Sequence, residues 1–404
     1  MIIKVKADDS GALGGYAFAI AALALILAVF GLVVQYSAGI SLSANDRTAA
    51  FERQLIYLPF AIFAGWLAYR LDLDMVRRYA WKIFWIALGV MLLARVPGIG
   101  VSVNGSWRWI NLGIIRLQAS DLGKLALVIL LAHLLASMQR HTLPAKFKIF
   151  KLQSRSPYFF TPAGWRDCYE GFVRPSLVLL AICAGIAVGP DLGTIILCCA
   201  VGGAMMFISG VRLLYTLPSL IISLVGLVVL VMNWGNRFRR ILSFLDPWGR
   251  RGDEAYQLFE GMVAFGVGGI TGQGAGNGLQ GRAYLPEAHT DFVFSVIAEE
   301  YGLVATSAIA LVYLTIFILA YRAMRHATDL FRLNVCLGAT LFLVLQALVN
   351  MGVVTGLLPT KGISLPFLSY GGTNLVIMSC MVGLVLNCIR SSTLAPYVAK
   401  EVKA

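Results

Sequence analysis

The chain is short of charge. Of its 404 residues only 13% are Asp, Glu, Lys or Arg, where soluble globular proteins carry about 25%. So little polar surface cannot cover a water-facing globule of this length, and a string of soluble domains is excluded with it. Disorder falls for the same reason, since a chain that is 59% hydrophobic has ample surface to bury. Cysteine is scarce as well. The seven residues Cys168, Cys183, Cys198, Cys199, Cys336, Cys380 and Cys388 show no zinc-ligand spacing. Disulfide-stapled scaffolds and zinc modules are therefore excluded, and buried, inert thiols are expected. Internal repeats and low-complexity tracts are missing. The glycine cluster Gly266–Gly278 lacks the Lys-Ser/Thr ending of a P-loop and follows no strand, so close packing or re-entrant backbone is the better reading. No basic helix with interleaved base-stacking aromatics occurs, so nucleic acid is not an expected partner despite 33 Lys+Arg against 20 Asp+Glu.

What is present is apolar sequence, with a mean hydropathy of +0.79. A membrane span needs roughly 20 such residues. Runs of that kind occur at Gly15–Ala38, Leu55–Tyr69, Tyr79–Ala94, Leu122–Met138, Pro175–Val188, Leu192–Ser209, Leu213–Met232, Tyr301–Ala320, Leu333–Val349 and Thr373–Ile389. The first run is too long for a signal-peptide core, and Asp8 and Asp9 stand where a leader would be basic, so it reads as a retained helix. The expectation is an all-α, polytopic membrane protein of about ten transmembrane helices, forming a single domain over residues 1–404. The basic segments Gln139–Arg174, Arg70–Arg78, Arg322–Arg332 and the C-terminal tail fall on one side of that alternation. That side is cytoplasmic by the positive-inside rule, and so are both termini; the excess of cationic side chains faces anionic membrane lipid. A short loop at Val96–Leu117 and a large loop at Asn233–Thr290, between helices seven and eight, are then extracytoplasmic. The arginines in the large loop, Arg239 and Arg240 among them, run against the trend and call for a function.

Four polar segments converge on that outer side. Tyr284–Phe292 concentrates Glu287, His289 and Asp291 just before the eighth helix. Taken alone, Asp291 is a helix N-cap; a metal site from the three is a weaker alternative. In Gln118–Lys124, Asp121 and Lys124 are three apart and share a helix face. They form either a structural salt bridge or part of a polar cavity. In Leu358–Asn374, Gly and Pro are too dense for continuous helix. Irregular backbone at membrane depth needs a protein interior or a wet cavity, which Lys361, Ser364, Ser369 and Tyr370 would line. Gly189–Thr194 reads as a turn with a cap. Arginines such as Arg108, Arg239 and Arg240 could meet phosphate oxygens, so the residues suggest an anionic, lipid-linked substrate without naming a reaction.

At these residues the chain resembles the SEDS family of bacterial cell-wall glycosyltransferases. The pieces NGSWRWINLG, QASDLGKLA, PDLGT, RRILSFLDPW, YLPEAHTDFVF and TGLLPTKGISLPFLSYGG run in family order over nearly the whole chain. The wording PEAHTDF and TKG is closer to the family's cell-division branch than to its elongation branch. Departures occur: Trp107 precedes a single Arg108, Ala119 and Asp121 replace the usual Pro and Glu, and Glu260-Gly261 replaces Gln-Ser. The resemblance implies polymerisation of lipid II into glycan strands on the outer face of the bacterial inner membrane, at the division septum. It implies Asp291 as general base, with Arg108, Asp121, Lys124, Arg239, Arg240, Glu287, His289, Lys361, Ser364 and Ser369 as substrate-binding residues. No resident metal site is expected, although a divalent cation, Mg or Mn, could assist the leaving pyrophosphate. The implied partners are a class B penicillin-binding protein (an FtsI-type transpeptidase) and the regulators FtsQ, FtsB and FtsL. A lipid II flippase and a non-catalytic division scaffold are the rival classes.

Overall fold

The computed structural model describes residues 7–39, 49–103, 106–111, 113, 116–142, 165, 168–211, 215–216, 218, 221, 240, 242–250, 255–278, 285, 288–327 and 329–401. Its helices are α1 (Ala7–Gly39), α2 (Ala49–Arg70), α3 (Leu73–Arg78), α4 (Ala80–Leu93), α5 (Ala119–Thr142), α6 (Arg174–Val188, entered through a π turn at Tyr169–Val173), α7 (Leu192–Ile208), α8 (Tyr256–Gly268), α9 (Val293–Met324), α10 (Leu330–Val354) and α11 (Gly372–Glu401). Six of the helical stretches are long and apolar enough to cross a membrane. Nine of the ten apolar runs coincide with helices; the tenth, Leu213–Met232, lies outside the described residues apart from isolated positions, as does most of the basic segment Gln139–Arg174.

Burial separates the helices into an inner and an outer set. The apolar windows of α5, α10 and α11 are mostly buried, while those of α1 and α9 are mostly exposed. A helix apolar all round belongs in such a core. α5 packs on α10, and α11 packs on α2 and α1. The outward set presents Phe18, Ile26, Trp66, Trp85, Leu311 and Ile318 on its surface, an apolar belt too extensive for a soluble monomer. All seven cysteines are free; Cys199 is exposed on that belt, contrary to the expectation of buried thiols.

The all-α expectation needs correction at the short loop. Residues 100–118 form a three-stranded antiparallel sheet, β1 (Gly100–Val103), β2 (Ser106–Asn111) and β3 (Arg116–Gln118). Trp109 pairs with both Val101 and Gln118, and a register shift follows Val101. The alternation in Ser-Trp-Arg-Trp-Ile-Asn has the strand period of two, and aromatic and β-branched residues favour it. Side-chain bonds fix the sheet to the bundle. Ser106 Oγ donates to the Gly189 carbonyl at 2.5 Å, Tyr57 accepts from the Arg116 amide at 2.8 Å, and the Thr373 hydroxyl accepts from the Gln118 amide at 3.0 Å.

The eighth helix also starts earlier than its apolar run, at Val293, because Glu299 and Glu300 interrupt the hydropathy while staying buried. Ser37 donates to the Glu300 carboxylate, 2.8 and 2.6 Å from its two oxygens. The helix breaks at Gly302, where φ is 72° and ψ is −169°. The amides of Leu303 and Val304 turn to the carbonyls of Gly269 and Ile270, and those of Gln273 and Gly274 turn to Glu299 and Glu300. The glycine cluster therefore supplies the partners that the broken helix loses. A Cβ at Gly302 would collide with the backbone of Ile270 and Gly272; the close-packing reading of that cluster holds.

One end of the bundle is basic. Arg332 bridges Asp329 and Asp74, Arg77 stacks over Phe331, and Arg390 stacks over Tyr69. The polar cavity lies at the other end.

Candidate functional site

Chain direction sets the two ends apart. Arg53 and Arg70 are 17 residues apart on α2, which is about 26 Å at 1.5 Å per residue, close to the hydrocarbon thickness of about 30 Å. At the Arg53 end a cavity of about 1080 Å³ opens between the sheet and the helix ends. α2 contributes Arg53 and Tyr57; the sheet contributes Ser106, Arg108, Trp109, Arg116 and Gln118; the α6–α7 turn contributes Pro190, Asp191 and Gly193. Arg240, Gln257, the Thr290–Phe292 segment, Thr360–Gly362, Ser364, Tyr370–Gly372 and Asn374 complete the lining.

Five cationic side chains, Arg53, Arg108, Arg116, Arg240 and Lys361, meet two carboxylates, Asp191 and Asp291, on this lining. Asp191 is engaged in structure. It caps α7, accepting from the Thr194 amide at 3.1 Å and the Thr194 hydroxyl at 2.9 Å, and it pairs with Arg108 at 3.1 Å. The turn-with-cap reading of Gly189–Thr194 is thus correct, and the same residue is also a cavity wall. Asp291 is different. The N-cap position of α9 is held by Phe292, which makes no side-chain capping bond, so Asp291 stands one residue before the cap rather than at it. Its Oδ2 faces Gly362, where a Cβ would sit 2.6 Å away. A glycine beside Lys361 leaves room for the carboxylate.

The segments around Asp291 are irregular, and helix side chains take up their carbonyls. Gln35 donates to His289 O and Leu368 O at 2.9 and 3.0 Å, and the Tyr370 amide also reaches His289 O at 2.8 Å. Asn350 Nδ2 donates to Asp291 O at 2.7 Å and Ile363 O at 2.6 Å; Gln346 Nε2 donates to Ser364 O at 2.8 Å.

Of the residues singled out from sequence, Arg108, Arg240, Asp291, Lys361 and Ser364 line the cavity. Asp121 and Lys124 do not. They are buried on α5 with Lys124 Nζ 2.8 Å from Asp121 Oδ1, and the ammonium also donates to Gln346 Oε1 at 3.0 Å. Ser369 also turns away: its hydroxyl accepts from the Leu365 amide at 2.6 Å and holds a turn. His289 is off the lining and contributes the carbonyl just described. Arg239 and Glu287 lie outside the described residues. Sequence reasoning missed Arg53, Tyr57, Arg116, Gln118 and Asn374. The signal for the two arginines was available, since each stands at an outer helix or strand end against the positive-inside trend.

Among the described residues no three His, Cys, Asp or Glu side chains converge as a metal site would require. Asp191 is held by Arg108 and Thr194, and the chemistry below routes no step through a cation.

Comparison with known proteins identifies the family. The profile of the FtsW/RodA/SpoVE cell cycle proteins matches residues 17–394. A protein of Geobacter metallireducens named probable peptidoglycan glycosyltransferase FtsW is 38% identical over 376 residues, covering 92% of this chain and 94% of its own. A like-named protein of Trichlorobacter lovleyi is 36% identical over 398 residues, covering 97% of each. Among solved structures, a chain of a peptidoglycan synthase complex aligns with a TM-score of 0.69 at 24% identity, over 94% of this chain and 97% of that one. Rod shape determining protein RodA of Thermus thermophilus aligns with a TM-score of 0.64 at 23% identity, over 92% and 96%. At such identities the structures speak for the fold alone, whereas the profile and the curated relatives carry the family: this chain belongs to the FtsW/RodA/SpoVE family of cell cycle proteins.

Proposed function

We propose that the chain is a peptidoglycan glycosyltransferase that polymerises lipid II on the outer face of the bacterial inner membrane during division, with Asp291 as general base. The observation that carries this reading is the cavity itself: a second carboxylate, Asp291, beside the one that caps α7, among five cations, at the end of the bundle opposite the basic cluster. By the positive-inside rule the basic end is cytoplasmic and the cavity is extracytoplasmic. A ten-helix topology with both termini inside follows from the same rule.

The chemistry has three demands. A sugar hydroxyl of the acceptor attacks the anomeric carbon of the donor; the new C–O bond forms as the bond to the undecaprenyl pyrophosphate breaks. The hydroxyl proton goes to Asp291, a contribution of typically 10²–10⁴-fold, about 3–5 kcal/mol. Negative charge grows on the departing pyrophosphate, and Arg or Lys side chains on the lining offset it. Arg108 is held in place by Asp191, so its guanidinium is oriented before substrate arrives. The FtsI-type transpeptidase partner, FtsQ, FtsB, FtsL and septal location belong to this reading by family membership; the structural relative above, itself a synthase complex chain, supports a transpeptidase partner.

The test is lipid II polymerisation by the purified chain, alone and with its cognate transpeptidase. Asn at 291 keeps the size of the side chain and cannot accept the proton. Asp291→Asn lowers the rate by about 10²–10⁴-fold while leaving expression and partner binding intact, and a wild-type rate refutes the assignment. Leaflet exchange of labelled lipid II without glycan chains would instead identify a flippase, and neither activity would identify a scaffold.

A further inference from the structure

We infer that Asn350 is the positioning residue for the proton acceptor: its side-chain amide fixes the Asp291 segment against the Lys361–Ser364 segment. The inference rests on the reading of Asp291 as general base.

Asn350 lies on α10, 1% exposed, and Nδ2 spends both hydrogens on backbone carbonyls, Asp291 O at 2.7 Å and Ile363 O at 2.6 Å. Those carbonyls come from two segments far apart in sequence, and both segments line the cavity. The Asp291 carboxylate itself faces Gly362 of the second segment, so the amide braces a contact that the site already makes. Its Oδ1 is buried without a hydrogen-bond partner, so the amide is held there by its donors alone. An apolar residue has no donor to offer, and a carboxylate would set its oxygens against two carbonyl oxygens. One helical turn earlier, Gln346 repeats the arrangement on Ser364 O, and Lys124 orients its amide by donating to Oε1. Two amides four residues apart on one face therefore lock the loop in register with Asp291. Neither amide lines the cavity, and neither need touch substrate.

A general base works only within hydrogen-bond reach of its proton, and a displacement of about 1 Å costs about 10²-fold. The test uses the full-length chain in lipid nanodiscs with its cognate transpeptidase and labelled lipid II, carrying Asn350→Leu, Asn350→Asp or Asp291→Asn. Leu keeps the branched heavy-atom skeleton, in a somewhat larger side chain, and removes both donors. Expected is a fall in kcat of about 10²-fold with KM within about twofold of wild type, because four of the lining cations, Arg53, Arg108, Arg116 and Arg240, stand on segments that Asn350 does not hold. The Asp variant, when neutral, keeps one donor. It therefore recovers kcat as pH falls, through an ionisation that wild type lacks and that a role in folding alone would not create. Should Asn350→Leu not fold, the pH profile of Asn350→Asp decides. A wild-type kcat for Asn350→Leu, a loss confined to KM, or a wild-type pH profile for Asn350→Asp overturns the inference. A wild-type rate for Asp291→Asn overturns the reading beneath it, and is thus distinguishable.

Discussion

Lys124 and Asp121 offer a perturbation whose size follows from the geometry. The two side chains are 4% and 1% exposed, with 2.8 Å between Nζ and Oδ1. At that burial each charge depends on the other. Lys124→Met leaves the Asp121 carboxylate without a counter-charge, and the carboxylate has no hydrogen-bond donor besides that contact. Breaking a buried pair from one side costs about 3–5 kcal/mol, a shift of roughly 10²–10⁴-fold in the folded-to-unfolded ratio. Removing both partners is different. Asp121→Leu with Lys124→Met replaces the pair with apolar volume, which is often neutral or stabilising. With each single change costing about 3–5 kcal/mol and the double change near neutral, a double-mutant cycle should give a coupling of about 6–10 kcal/mol, well above the usual range for residues in contact. Reversible unfolding in mixed micelles measures it, with tryptophan fluorescence as the probe. Polymerisation should not recover with stability, because the double variant has lost the ammonium that orients Gln346 towards Ser364 O. Additive single effects would refute the pairing argument. Full activity in the double variant would refute the link from Lys124 to the loop.

Two further predictions follow from backbone and topology. Gly302→Ala places a Cβ into the backbone of Ile270 and Gly272 at a φ of 72°, so the folded yield should collapse; yield matching wild type on size-exclusion chromatography would show that the kink relaxes freely. A single cysteine at Ala275, exposed beside the glycine-rich turn, should react with an impermeant thiol reagent in intact cells, whereas one at Arg325, exposed at the basic end, should react only after permeabilisation; the reverse pattern would invert the whole assignment of faces.

The helical framework was legible because a membrane span declares itself by length and hydropathy, and the apolar runs outside residues 213–232 recur as helices. Legibility failed where another force outweighed hydropathy. The sheet at Gly100–Gln118 shows only a period of two over a few residues, too short to stand out beside long apolar runs. α9 begins in sequence that two glutamates make look polar, yet both are buried, and Ser37 donates to one of them. For the site, Asp291, Arg108, Arg240 and Lys361 could be found as charges gathered on one face. Asp121 and Lys124 could be found too, but not their depth, since spacing tells which residues share a helix face and not what covers it. Arg53, between Glu52 and Gln54, and Arg116, between Ile115 and Leu117, were lost as single cations outside the polar segments singled out. Gln346 and Asn350 were missed because no polar cluster marks them, although lone amides in an apolar helix point to a buried partner.

That last pattern extends beyond α10. The site is carried by irregular segments at membrane depth, which need a donor for each buried carbonyl. Side chains of the regular elements provide several: Ser106 on β2 and α-helical Gln35, Gln54, Gln346, Asn350 and Tyr313 reach Gly189, His289, Leu368, Ser369, Ser364, Asp291, Ile363 and Pro366. Each such side chain interrupts an apolar surface and would be costly if left unpaired; each carbonyl would be costly without it. Loop and helix therefore specify one another, and neither can shift without stranding a polar group. Rigidity of this kind is what a general base needs, because the geometry of proton transfer is then set before substrate binds. The irregular backbone that composition forbids from being helix becomes the most tightly held part of the site.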